Sequence, residues 1–339
     1  MYTFSMSPLF GKKKSPGKTV AILDVESGSV GAALVRTSAT LQPRLFAEVR
    51  IPVPAMRAVS GAALAAQVEH AAREALCHVS VVAARVRNAP QVSLHRVEEL
   101  SDLSAIERVA MFLHPPWAGV DFDQLGKVLP GAIPEFFDVA QTLSEETFGT
   151  VPLTLYSFGA SAAPLLHSLY AVEGSCLVCT LTGEMTELVV VGPDGVVGHG
   201  TIPLGTHFLS RTLASHGGFS LSEAHSALSL LARGGIHAQS MEPLSAAASH
   251  FMREFSDAAS ELVSSHSTKQ VFLVAPRGAG QWLAQAMTES DTTNVFPKGG
   301  TIRAVGPQHL TPHVAAHGSS PDTALLVAAL FIDARLYRV

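Results

Sequence analysis

Two short turns carry the residue types best suited to chemistry. Ser27-Gly28-Ser29 and Thr182-Gly183-Glu184 each combine a glycine with hydroxyl side chains. A phosphate group needs backbone N–H donors that can approach closely, and glycine, lacking Cβ, permits that approach. Asp24 ends the apolar run just before the first turn, where a carboxylate could hold a hydrated Mg²⁺. Such turns would bind a nucleotide or another phosphate. Glu26 stands inside the first turn, and an acid there repels a polyphosphate unless a metal intervenes.

Other chemistry-bearing patterns are weaker. Gly159-Ala160-Ser161-Ala162-Ala163 lies between a strand and a helix, as a hydrolase nucleophile would, with Asp194 and His317 in a permissible order behind it. Its final position is alanine rather than glycine, and small residues at such a place commonly let a helix pack closely on a sheet. Gly17-Lys18-Thr19 precedes a strand instead of following one, so it fails as a phosphate loop. His309 and His313 are four residues apart, but Pro312 breaks any helix that would present them jointly to a metal, leaving loop histidines. Cys176 and Cys179 have the gap of a zinc knuckle without a second pair. On a strand that offset sends their side chains to opposite faces, so both read as small buried residues.

The elements that must position these residues follow from periodicity. Thr19 to Asp24 is a β-rich run, Val30 to Val35 returns as a second strand, and Leu45 to Val53 reads as a third. A helix is expected from Gly61 to Val79, and a strand from Ile106 to Leu113, stopped by His114-Pro115-Pro116-Trp117. Residues 118–150, with a Pro130-Gly131 break, read as a reduced insertion. A second set of elements repeats the logic of the first. Strands are expected at 153–157, 175–180, 187–191, 196–203 and 271–275, and helices at 160–170, around 221–233 and 243–265, and at 278–288. Gly192-Pro193-Asp194-Gly195 is a hairpin turn, Gly205 opens a helix, and the last helix begins near Ser320 as N-cap with Pro321 in its first turn. A strand–turn–strand hairpin therefore occurs twice, and two such hairpins facing each other would set both glycine turns across one cleft.

Composition fits that α/β plan. The 339 residues are 47% hydrophobic and 15% charged, enough to bury the core of a bilobal unit. A net charge of -5 and few aromatics exclude a basic nucleic-acid surface. Three cysteines cannot build a disulfide framework, which points to a reduced, intracellular setting. No signal peptide and no transmembrane segment of roughly 18–20 apolar residues is expected, and the basic Lys12–Lys18 stretch reads as part of a flexible tail over 1–18.

The motifs also resemble a known family. Leu23-Asp24-Val25-Glu26-Ser27-Gly28-Ser29-Val30 is similar to the first phosphate motif of the actin/heat-shock-chaperone/sugar-kinase superfamily, above all of FtsA-like and PilM-like proteins. Val178 to Val191 resembles the second phosphate motif, with Gly183 and Thr186 in register, and Ile202-Pro203-Leu204-Gly205 the turn beyond it. Phe272 to Ala279, including Arg277, Gly278 and Ala279, lies where the family has its adenosine loop, and Asp322 to Phe331 resembles the closing helix. Leu9-Phe10-Gly11-Lys12-Lys13-Lys14 is similar to many PilM starts. The departures are Glu26 in place of the usual glycine, Thr180 in place of the aspartate opening the second motif, and Ala275-Pro276 interrupting the glycines of the adenosine loop. Glu223 and Ala224 lie on a helix resembling the ribose side, without the expected lysine.

The resemblance implies a two-lobed actin-like fold, a duplicated ribonuclease H-like plan with a nucleotide cleft. The first lobe would span 19–150, with its insertion reduced around 118–150, and the second 151–339. It also implies a cytoplasmic assembly scaffold of the type IV pilus or cell-division type, at the inner face of the membrane. ATP or ADP with Mg would bind weakly or not at all. The last residues, Ala334 to Val339, are too short for an amphipathic anchor, which favours the PilM side. The implied partner is a cytoplasmic peptide of a membrane-associated assembly protein, with a homo-oligomer left open. The rival readings are an active ATPase or small-molecule kinase using Asp121, Asp123 or Asp138 as its acid, and a serine hydrolase using Ser161.

Overall fold

The computed structural model of the chain describes residues 17–88, 106–122, 128–132, 134–231, 241–264, 268–277, 279–289, 300–316 and 321–337. Strands β1 (Lys18–Val25), β2 (Ser29–Thr37) and β3 (Arg44–Pro52) form an antiparallel meander, with β1 and β2 buried almost throughout. Helix α1 (Gly61–Asn88) then carries the chain across to β4 (Ile106–Leu113), which lies parallel to β1. A small hairpin of β5 (Ala118–Phe122) and β6 (Val128–Ala132) precedes α2 (Pro134–Phe148) and β7 (Leu153–Ser157), which pairs parallel with β4. The stretch expected as a reduced insertion is thus one hairpin and one helix.

Helix α3 (Phe158–Leu169) begins at once, its first turn capped where the Ser157 hydroxyl accepts from the Ala160 N–H at 3.3 Å. The pattern then repeats. Strands β8 (Ser175–Leu181), β9 (Thr186–Gly192) and β10 (Gly195–Ile202) form a second meander. Helices α4 (Thr206–Gly217), α5 (Leu221–Leu231) and α6 (Met241–Val263) lead to β11 (Thr268–Val274), parallel to β8. After α7 (Ala279–Glu289), β12 (Thr301–Val305) closes that sheet. The short α8 (Pro307–Leu310), β13 (Ala315–Ala316) and α9 (Thr323–Tyr337) finish the chain.

The sheets run β13-β3-β2-β1-β4-β7 and β10-β9-β8-β11-β12. Apart from the short β13, each is an antiparallel trio followed by two parallel strands, the same order twice. This is the duplicated two-lobed plan expected from the sequence. Strand periodicity assigns each sheet two apolar faces. Ala21, Leu23 and Val25 pack under α1 and α2, while Leu177, Cys179 and Leu181 pack under the α4–α7 layer. The opposite faces, with Val20 and Ile22 from one sheet and Cys176 and Val178 from the other, enclose α3 and α9 in one shared core. Helix α9 is buried from Leu325 through Leu330 because it lies between the two sheets.

Strand β7 completes the first sheet, and β13 and α9 return to it at the end of the chain, because β3 and the β1–β2 surface supply their pairing and apolar contacts. The final helix starts later than expected. Its N-cap is Asp322, whose carboxylate accepts from the Leu325 N–H at 3.0 Å. Strand β12 is not evident in the sequence, since most of its residues are exposed and Arg303 interrupts its pattern. No helix among the described residues is long and apolar enough to cross a membrane.

Candidate functional site

The tight β1–β2 and β8–β9 turns meet. Gly28 and Gly183 lie back to back: a Cβ on Gly28 would sit 2.7 Å from Gly183 Cα, and one on Gly183 would fall onto Gly28 Cα. Gly205 completes the crossing, since a Cβ there would lie 2.5 Å from the carbonyl oxygens of Gly183 and Thr182. None of the three adopts a left-handed φ. Glycine is needed here for space, not for its dihedral freedom.

Polar groups stitch the crossing together. Glu26 Oε2 accepts the N–H of Gly28 at 2.9 Å and that of Gly183 at 2.8 Å, while Oε1 accepts the Ser29 hydroxyl at 2.5 Å. The Thr182 hydroxyl donates to the Met185 carbonyl at 2.7 Å, so the Ser27 hydroxyl donates to Thr182 Oγ1 at 3.0 Å. Ser27 Oγ in turn accepts the Glu184 N–H at 2.8 Å. Backbone N–H groups of Thr206 and His207 reach the Thr182 and Gly183 carbonyls at 2.9 and 2.7 Å, anchoring the start of α4. Thr186 donates to the Leu204 carbonyl at 2.7 Å and supports the same turn from behind.

Beside the crossing is a buried ionic cluster. Asp24 Oδ1 faces His114 Nε2 at 2.8 Å, and Oδ2 accepts from Arg50 Nη2 at 2.7 Å. Arg50 also grips both oxygens of Asp322, at 2.6 and 2.9 Å, and donates to Ser29 Oγ at 2.8 Å. Burial alone would raise the Asp24 carboxyl, but His114 and Arg50 hold it down at about 2. Burial would likewise lower the His114 imidazole, and the Asp24 carboxylate outweighs that and raises it. His114 stacks on Phe158, with ring centroids 4.3 Å apart.

Glu184 belongs to a second ionic group. Its oxygens accept from both Arg211 terminal nitrogens, at 2.9 and 2.8 Å, and Oε1 lies 2.9 Å from His207 Nδ1. Burial raises this carboxyl, and these bonds overcome the effect and bring it to about 2. Arg211 extends to the Met56 carbonyl at 3.5 Å and so reaches from α4 into the first lobe.

The expected site residues therefore fall into three sets. Asp24, Ser27, Gly28, Ser29, Thr182, Gly183, Glu184, Thr186 and Gly205 lie together around the crossing. Arg277 lies at the mouth of the cleft, half-exposed and 3.7 Å from Glu48, and Ala279 opens α7. Gly278 lies outside the described residues, as do Asp123 and His317. Sequence reasoning missed Arg50, His114, His207, Arg211 and Asp322 as members of the site. The one available signal was a charged residue, Arg50, between the apolar Val49 and Ile51 of β3.

These residues do not fit a nucleotide phosphate with Mg²⁺. The glycine N–H groups of both turns are taken by Glu26, and the two glycines leave no gap between the lobes for a phosphate. Asp24, expected as the metal ligand, has one oxygen on the Arg50 guanidinium and the other on the His114 imidazole. Among the described residues no group of three or more His, Cys, Asp or Glu could hold a metal ion. The space left beside Asp24, Arg50, His114 and Asp322 is about 20 Å³, where small-molecule sites are typically about 300–1,000 Å³.

Among the described residues, the members of the rival sites are not brought together. Ser161 is buried in α3 and Asp194 is exposed on the β9–β10 turn, and no hydrogen bond joins them. Asp138 is exposed on α2, which packs on α1 away from the crossing. His309 accepts the Gly306 N–H at 3.1 Å and caps α8. Cys176 and Cys179 point to opposite faces of β8 and are both buried, with burial pushing the Cys176 thiol up to about 12.

No protein-family model matches the sequence, and no curated protein matches it. Solved structures do share the fold. One is a chain of the PilM–PilN type IV pilus biogenesis complex, with a TM-score of 0.57 at 15% identity, covering 91% of this chain and 96% of that one. Another is the ethanolamine utilization protein EutJ from Carboxydothermus hydrogenoformans, with a TM-score of 0.52 at 14% identity, covering 94% and 89%. Both are actin-like, and the chain has their two-lobed actin-like fold.

Proposed function

We propose that this protein is an actin-like scaffold of the type IV pilus or cell-division kind, working in the cytoplasm at the inner face of the membrane. Its partner is a short cytoplasmic peptide of a membrane-associated assembly protein. Binding of ATP or ADP is weak or lost. The observation that carries this reading is the crossing of Gly28 and Gly183 on the Glu26 carboxylate. A cleft whose phosphate donors are already bonded has little to offer a nucleotide, whereas the shape of the fold persists for protein contacts. The shared fold with a chain of the PilM–PilN complex supports the pilus side.

Calorimetry on the full chain tests this. Peptides tiled across the cytoplasmic segments of pilus and division membrane proteins are titrated with and without Mg-ATP, and Mg-ATP is titrated alone. The expected result is one peptide that binds equally well in both conditions, with millimolar or absent ATP binding. Micromolar ATP affinity with turnover would replace the scaffold by the ATPase or kinase reading.

A further inference from the structure

At the crossing the chain provides its own anion. Three donors from two lobes converge on one carboxylate: the N–H groups of Gly28 and Gly183 at 2.9 and 2.8 Å, and the Ser29 hydroxyl at 2.5 Å. The group is 4% exposed, and Arg50, which is bound to the same Ser29 hydroxyl, adds positive charge beside it. Converging backbone N–H groups bind an anion by their fixed dipoles, whatever the covalent origin of that anion. The carboxylate is planar and small enough for the gap, while the contact of Gly28 with Gly183 leaves no depth for a tetrahedral group.

We propose that Glu26 is a built-in ligand, and that the two turns form a small-carboxylate site whose occupation holds the lobes together. Removal of the side chain then leaves a vacant receptor for a free monocarboxylate such as formate. This deepens the preceding reading by replacing the nucleotide as the lobe clamp, and it rests on that reading only in treating the cleft as a joint. Its test involves neither ATP turnover nor a protein partner, so the two ideas fail separately.

The experiment is thermal unfolding of full-length wild type and E26A at pH 7, in sodium formate against sodium chloride at matched ionic strength. E26A should melt below wild type, and 100 mM formate should raise its Tm by about 3 °C, following ligand linkage. Wild type should show no formate-specific rise, because its site is filled. Phosphate should be no better than chloride for either protein. An E26A protein as stable as wild type, or one indifferent to formate, overturns the proposal. So does a formate effect of equal size on both proteins, and so does a phosphate effect that exceeds formate's, which would mark a tetrahedral-anion site.

Amide hydrogen exchange on wild type keeps the test decisive should E26A fail to fold. Gly28 and Gly183 should be protected at least 100-fold against free-peptide rates, and equally with or without Mg-ATP. Unprotected amides, or amides protected only when Mg-ATP is present, overturn the proposal.

Discussion

The two lobes of this protein meet in two places built on opposite principles. At the back, α3 and α9 lie between the sheets in a continuous apolar core that includes Phe112, Phe158, Val178, Phe272 and Ile332. At the front, the lobes touch through glycine backbones, the Glu26 carboxylate, the Ser27 and Thr182 hydroxyls and Arg211, beside the first lobe's own cluster of Asp24, Arg50, His114 and Asp322. The back is held by burial, which is non-directional and tolerates small changes of shape. The front is held by directional bonds in a dry site, where an unpaired partner costs more than the bond contributed. Contact at the front is therefore sensitive at a few positions, while the back is robust.

Substitutions on the two sides should separate these principles. Arg50→Ala should have the largest effect, because it leaves the Asp24 and Asp322 carboxylates buried without their guanidinium partner. A loss of about 3–5 kcal/mol is expected in urea unfolding, and a change below about 1 kcal/mol would mean that the cluster is solvated in solution. Gly183→Ala comes next. Its Cβ meets the Gly28 backbone, which no rotamer change can relieve. A destabilisation of about 3 kcal/mol is expected, at the upper end for overpacking, together with a larger radius of gyration by small-angle scattering. An unchanged radius and melting temperature would show that the turns stand apart.

Acid should act on the front alone. The Asp24 carboxyl sits at about 2 against an ordinary 3.8. Its contribution, about 2 kcal/mol, is present in full above pH of about 4 and is lost as the pH falls toward 2. His114 has the opposite sign. Its pKa is raised above 6.5, so its contribution is complete below that pH and fades as the pH climbs through the raised value. Unfolding midpoints measured from pH 2 to 9 should show a plateau between about 4 and 6.5 with a fall on either side. A curve with no acid limb would remove Asp24 from the account. The smallest effect belongs to the back: Ile332→Val trims one methylene from the shared core and should cost about 1 kcal/mol with no change in pH dependence. A cost as large as that of Arg50→Ala would erase the contrast between the two faces.

Much of this architecture was legible in the residues. The β-rich apolar runs Thr19–Asp24 and Val30–Val35, with a glycine turn between them, identify a hairpin because short apolar runs bounded by turn residues read as paired strands. Its recurrence around Thr182-Gly183-Glu184 announced the duplication, and Glu26 stood out as an acid where a phosphate binder has no use for one. The sheet partners of β7 and α9 were not legible. Whether β7 joins the sheet before it or the one after it depends on pairing with β4, and α9 returns to the first sheet through contacts more than 250 residues apart in the chain, such as Arg50 with Asp322. Residues so far apart in sequence leave no local pattern to read.

The sequence by itself determined most of the element types, the twofold repetition and the presence of two glycine turns with an acid in one of them. Local propensity and periodicity act within a few residues, and that range is enough for such features. Only the tertiary structure decided that Glu26 turns toward Gly183 instead of solvent, and that Asp24 is held by Arg50 and His114 rather than left open to a metal. The first outcome depends on how the two lobes meet and the second on the strand order β3-β2-β1-β4, and neither is set by residues adjacent in the chain.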